Sequence, residues 1–152
     1  MGKNTSGNTL IREALPNDAG DIYQIGKACF SDAWRKETVR NDLSGGHSDY
    51  FIASVDGRTV GYGCFWFVAD EAQLVNIGVL PDFRRKGLAE EILKRGIEEA
   101  SVRRMQTMFL EVRVSNLAAQ ALYRKYQFQV VSVRQAVYDL PRENGYIMSR
   151  TL

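Results

Sequence analysis

The apolar stretch from Leu74 to Leu80, broken only by Asn76 and Gly78, predicts a strand covered on both faces. Gly78 marks either a bulge or a point where another backbone comes close. Pro81 and Asp82 stop the strand, and from Leu88 onward the apolar residues Leu88, Ile92, Leu93, Ile97 and Ala100 recur at helical spacing. Glu90 and Glu91 stand four residues before Lys94 and Arg95 on the solvated side of that helix, a spacing that favours ion pairs.

The same patterns divide the rest of the chain. Thr9 to Leu15 reads as a first strand, and Pro16, Asn17 and Asp18 open a helix to about Ala28. Ser31 or Asp32 can cap a second helix that carries Trp34, Val39 and Leu43 and ends at Gly45 and Gly46. Asp49 to Val55 and Thr59 to Ala69 read as strands joined by Asp56 and Gly57, the strongest hairpin signal present. Met108 to Val114, Phe128 to Arg134 and Tyr146 to Leu152 are further strands, with a short helix over Leu117 to Tyr126. Strands and helices alternate in a mixed α/β order without an internal repeat.

Composition narrows the class. With 152 residues, 45% hydrophobic and 25% charged, the chain fits one globular domain over residues 9–152, behind a polar tail at residues 1–8. Met1 to Ser6 fits the spacing of a myristoylation signal, but its Gly/Ser/Asn character reads as disorder. A net charge of +2 is too small to imply nucleic acid by itself. No apolar run of eighteen residues and no signal-peptide pattern is present, so the expected location is cytoplasmic, away from the membrane. Cys29 and Cys64 read as reduced, buried thiols. His47, the single histidine, reads as an exposed loop residue, because no nucleophile signature accompanies it; no metal site is expected.

Between the central strand and its helix lies Arg84-Arg85-Lys86-Gly87-Leu88-Ala89. Unpaired N–H groups at a helix start carry partial positive charge, and Gly87 lets a ligand approach the main chain, so an anion is expected here. No Gly-Lys-Ser/Thr follows and no Gly-x-Gly-x-x-Gly is present, which excludes both common nucleotide loops.

This loop, preceded by a strand reading NIGV, resembles the R/Q-x-x-G-x-G/A acyl-CoA loop of the GNAT N-acetyltransferases. Leu110-Glu111-Val112-Arg113-Val114-Ser115-Asn116, followed by Ala121-Leu122-Tyr123 and Phe128, resembles a block of the ribosomal-protein-alanine acetyltransferases within that family. The resemblance implies a mostly antiparallel, twisted sheet of about seven strands, splayed at the cofactor site and flanked by about four helices. It implies acetyl-CoA as cofactor, main-chain contacts from Ile77, Gly78 and Val79, and a pyrophosphate cradle from Arg84, Arg85, Lys86, Gly87, Leu88 and Ala89 with Glu90 at its edge. Asn116 is a helix N-cap or a cofactor contact. Glu111 is implied as base, with a salt bridge to Arg113 as its structural alternative, and Tyr123 as the acid that protonates the thiolate. Phe30 and Trp34, in a segment similar to F-x-x-P-W with Ala33 in place of proline, and Tyr138 would line the acceptor side.

The acceptor implied is a protein N-terminus, that of a ribosomal protein, met by a monomer or weak homodimer. An α-amine with pKa about 7.8 is roughly one-seventh neutral at pH 7, a lysine about once in 2,500, so one ordinary carboxylate suits the former. Gln127 stands where the family carries glycine, and that position requires positive φ. Gln135-Ala136-Val137-Tyr138 and Asn144-Gly145 also depart from the family pattern on the acceptor side. Competing readings are acetylation of a small amine (polyamine or aminoglycoside) or of lysine side chains, an acyl-CoA-binding module without activity, and a nucleic-acid binder using Arg84 to Lys86.

Overall fold

The computed structural model describes residues 8–45, 48–139 and 141–152. The polar tail, its myristoylation-like start and His47 lie outside the described residues, save Asn8 at the end of the tail. All seven strands, β1 (Thr9–Glu13), β2 (Asp49–Val55), β3 (Arg58–Val68), β4 (Glu71–Val79), β5 (Thr107–Arg113), β6 (Gln129–Asp139) and β7 (Arg142–Thr151), lie in one sheet. Their order is β1-β2-β3-β4-β5-β7-β6. Every pairing is antiparallel except that of β4 with β5. Four helices flank the sheet: α1 (Ala19–Cys29), α2 (Lys36–Gly45), α3 (Leu88–Val102) and α4 (Leu117–Lys125).

Local chemistry explains the best-matched elements. Asp56 and Gly57 both take positive φ, 51° and 85°, the geometry a two-residue hairpin turn needs to follow strand twist. β2 alternates too little to reveal a wet face, and both its faces are covered. Phe51 and Ala53 join a core under α3 and α4, while Tyr50 and Ile52 join a second core under α1 and α2. Three expectations shift. Helix α2 starts at Lys36, so Trp34 precedes it. β6 and β7 extend toward each other as far as Asp139 and Arg142. In α3, Lys94 pairs with Glu91 at 3.5 Å, but Arg95 turns forward to Glu99 at 3.1 Å.

Gly78 does not carry the bulge. Cys64 pairs with Asn76 and Phe65 with Leu74, which leaves Val75 as the extra residue of β4. At Gly78 a side chain would meet Cys29 Sγ at 3.1 Å and Phe30 at 3.3 Å, so its role is to admit the end of α1. Because of the bulge, Asn76 and Gly78 share the α1/α2 face with their partners Cys64 and Tyr62.

α3 is held against β3 by the Phe65 ring. A Cβ at Gly96 would stand 2.1 and 2.2 Å from that ring, and Phe65 and Ile92 beside it are fully buried, each worth about 2 kcal/mol of apolar transfer. Gly96→Ala is therefore expected to destabilise the protein by roughly 3 kcal/mol, read as a lower urea midpoint. An unchanged midpoint would show that helix and ring separate without penalty.

Candidate active site

The parallel pairing of β4 and β5 runs only from Glu71/Thr107 to Leu74/Leu110. Beyond it β4 continues to Val79 and β5 to Arg113 without pairing, so the sheet opens as a wedge. Leu80 N–H donates to Val60 O at 2.8 Å, and antiparallel partners alternate between residues that exchange both bonds and residues that exchange none. Ile77 and Val79 therefore turn their N–H and C=O groups into the wedge, whereas those of Gly78 face β3. The Val79 carbonyl already accepts from Arg84 Nε at 2.8 Å and Cys29 Sγ at 3.4 Å.

At the end of β4 a single turn of 3-10 helix, Pro81–Phe83, leads into the basic loop. Arg85 and Gly87 both take positive φ, 64° and 79°. Gly87 is the N-cap of α3, and no side chain caps the helix. The N–H groups of Leu88, Ala89 and Glu90 thus point outward at the positive end of the helix. Arg84, Arg85 and Lys86 are all exposed; Arg84 turns its Nε onto the Val79 carbonyl, and Lys86 lies 5.5 Å from the Phe83 ring centre. An extended chain ending in phosphates fits a wedge edge followed by such a helix terminus.

Two titratable side chains lie near the end of β5 on opposite faces of the sheet. Leu110 and Val112 of β5 point into the α3/α4 core, so Glu111 between them lies on the α1/α2 face. Its Oε1 accepts from Arg134 Nη1 at 3.4 Å, and its Oε2 is buried without a partner among the described residues. Tyr123, on α4, is 6% exposed within the α3/α4 core and meets Phe128 edge-on at 6.0 Å. Burial, reinforced by the neighbouring Tyr138, raises its pKa above the ordinary tyrosine range. Tyr138 stands between the two: burial pushes it up to about 12, with Glu111 the next contributor. A side chain at Gly145 would touch both Tyr138, at 3.0 Å, and Glu111, at 3.2 Å.

Comparison with known proteins decides what this arrangement is. The sequence profile described as "Acetyltransferase (GNAT) family" matches residues 19–128. The chain belongs to the GNAT acetyltransferase family. Curated relatives of this GNAT chain include the ribosomal protein bS18-alanine N-acetyltransferases of Escherichia coli (strain K12), 32% identical, and Salmonella typhimurium (strain LT2), 34% identical, each over 87% of this chain and 90% of the relative. The crystal structure of the E. coli ribosomal-protein-S18-alanine N-acetyltransferase superimposes with a TM-score of 0.88 at 31% identity, covering 95% of this chain and 94% of that one. Arabidopsis thaliana NAA60 in complex with acetyl-CoA shares the fold, with a TM-score of 0.84 at 18% identity over 95% and 99% of the two chains. This GNAT chain is an acetyl-CoA-dependent N-acetyltransferase, and its mixed α+β sheet of seven strands with four helices is the family fold.

The remaining candidate residues of this acetyltransferase divide by what they touch. Asn116 is the N-cap of α4, its side chain accepting from Ala119 N–H at 3.2 Å. The Glu90 carboxylate is taken by Lys125 Nζ at 2.7 Å and Tyr126 OH at 2.5 Å, which ties α3 to α4 and holds its pKa below the usual range. Phe30 lies over Gly78 at the mouth of the wedge. Trp34 is half-buried and turned edge-on to Tyr50, 6.4 Å away, within the second core. The alternative of a Glu111–Arg113 salt bridge is replaced by the Arg134 pair; Arg113 pairs with Glu143 at 3.2 Å, reaches Ser31 Oγ at 3.5 Å and lies 4.3 Å from the Tyr138 ring centre. It joins the segment after α1 to the β6–β7 hairpin.

Sequence reasoning missed Arg134 and Gln120. Gln120 is buried and donates from Nε2 to the carbonyls of Arg113 and Val114 at 3.1 and 3.0 Å, docking α4 on the end of β5. A glutamine on the buried side of a short helix was the available signal. The C-terminus of α4 is fixed by a Schellman pair, Phe128 N–H to Tyr123 O and Gln127 N–H to Arg124 O, both 3.0 Å. Gln127 occupies its left-handed position with φ 74°, as its family position requires. Gln127→Gly is expected to stabilise the protein by about 1 kcal/mol, measured as a raised melting temperature with unchanged KM for acetyl-CoA.

Proposed function

We propose that this enzyme acetylates the N-terminal α-amine of a protein, that of an alanine on a small-subunit ribosomal protein, in the cytoplasm. The relatives named above carry that activity in their names, at 31 to 34% identity across most of the chain. The observation that supports the mechanism is that Glu111 and Tyr123 lie on opposite faces of the sheet, on β5 and α4, with Tyr138 a neighbour of both. Amine and thioester then meet through the sheet, each with its own proton-handling group.

Acetyl-CoA supplies the activated acyl carbon. Its extended arm would lie along the edge offered by Ile77 and Val79, and its pyrophosphate would rest on the amides of Leu88, Ala89 and Glu90, with Arg85 and Lys86 adding charge. Glu111 Oε2, buried and lacking a donor, accepts a proton from the incoming ammonium. Tyr123 hydrogen-bonds to the departing sulfur. A phenol held above its usual pKa stays protonated across the working range. It is a weaker acid than a thiol, ordinarily near 8.5, so it supports the developing thiolate mainly by hydrogen bonding. No serine or cysteine nucleophile is required, since the amine attacks directly.

The test is mass spectrometry of synthetic N-terminal peptides incubated with enzyme and acetyl-CoA. Acetyl is expected on the α-amine of peptides beginning with alanine. Acetyl found only on lysine side chains or free amines would overturn the acceptor assignment.

A further inference from the structure

On the α1/α2 face the sheet continues past Glu111 as an open groove of about 610 Å³. Phe109 and Ile147 form its floor, and Trp66, 41% exposed, forms one wall. The far rim is the β3–β4 turn with Asp70 and Glu71. Its charge is lopsided. Three carboxylates, Asp70, Glu71 and Glu111, line it against one guanidinium, Arg134. Arg134 is spent on Glu111, and neither Asp70 nor Glu71 is in an ion pair among the described residues.

We propose that this groove holds the stretch of acceptor polypeptide that follows the α-amine, and that its rim selects a lysine or arginine about three to five residues in. The inference rests on the reading of the acceptor as a protein N-terminus. Glu71 pairs with Thr107, four residues before Glu111 along β5, which at about 3.3 Å per residue is some 13 Å. An extended peptide covers the same distance in about four residues. With its amine at Glu111, its second and third side chains lie over Phe109, Ile147 and Trp66, and the fourth reaches the two free carboxylates. A small amine would use only the Glu111 end. A polyamine would set charged nitrogens over the apolar floor, where no carboxylate meets them.

Octapeptides beginning with alanine and carrying Lys, Ala or Glu at the fourth position test this with the intact enzyme and acetyl-CoA. An exposed ion pair of this kind changes affinity by up to about fivefold. KM is expected to rise from Lys to Ala to Glu, spanning about fivefold or more, with kcat nearly constant and the spread shrinking as salt is added. In the double variant Asp70→Lys/Glu71→Lys, at exposed positions outside the catalytic machinery, the order reverses. If α-amines are acetylated while KM ignores charge at positions three to five, the groove assignment is wrong and the proposed function stands. If no α-amine reacts, the proposed function falls with it. Spermidine turned over with higher kcat/KM than every peptide, and lost in the double variant, would assign the groove to a small polycation instead. The wild-type peptide series decides the question even where the double variant fails to fold.

Discussion

Glu111→Gln is expected to lower kcat/KM for an α-amine acceptor at pH 7 by about a hundredfold or more, the usual worth of a positioned general base. The amide keeps the shape and the hydrogen bond with Arg134 can be re-formed through its oxygen, so the loss isolates proton acceptance. The pH dependence gives the sign. An α-amine is roughly one-seventh neutral at pH 7 and more than nine-tenths neutral at pH 9. Solution deprotonation can therefore restore about sevenfold of the deficit as pH rises, and the remainder persists because the amine must still shed a proton after it attacks. Turnover equal to the parent at pH 7 would remove Glu111 from the mechanism.

Tyr123→Phe is expected to cost about a hundredfold in kcat with little change in the KM for acetyl-CoA, because the hydroxyl acts on charge that develops only as the C–S bond breaks. The phenyl ring still fills the buried site against Phe128, so stability should hold. A thioester with a more acidic leaving thiol should narrow the gap between variant and parent. If the gap stays constant across leaving groups, the hydroxyl serves packing alone. Tyr138→Phe provides the internal control. It also loses a phenol beside Glu111, and in the proposed acceptor-side role its effect should fall on the peptide's KM.

How far the sequence revealed these positions depended on the kind of signal each leaves. Asp56 and Gly57 were legible because only certain residues tolerate their backbone angles, and Gln127 for the same reason once its family position was recognised. The helix α3 was legible from its 3.6-residue apolar stripe. The bulge at Val75 was not, since an extra aliphatic residue in an aliphatic strand changes no pattern, and Gly78 drew attention three residues away. The far halves of β6 and β7 were hidden because Asp139, Pro141, Asn144 and Gly145 read as turn residues, and it takes the pairings of Tyr138 with Glu143 and of Asp139 with Arg142 to carry the hairpin through them. Arg134 could not be matched to Glu111 because they meet across β7, while Arg113, two residues from Glu111, offered an obvious but incorrect partner. Such pairings depend on strand order, which single-residue preferences do not encode.

The placement of Glu111 and Tyr123 on opposite faces of the sheet also constrains the kinetics. With the donor in the wedge and the acceptor in the groove, as proposed above, neither has to vacate the enzyme before the other arrives, and no acylated protein needs to form between them. Initial-velocity lines for varied acceptor at several fixed donor concentrations should converge at a point, the signature of a ternary complex.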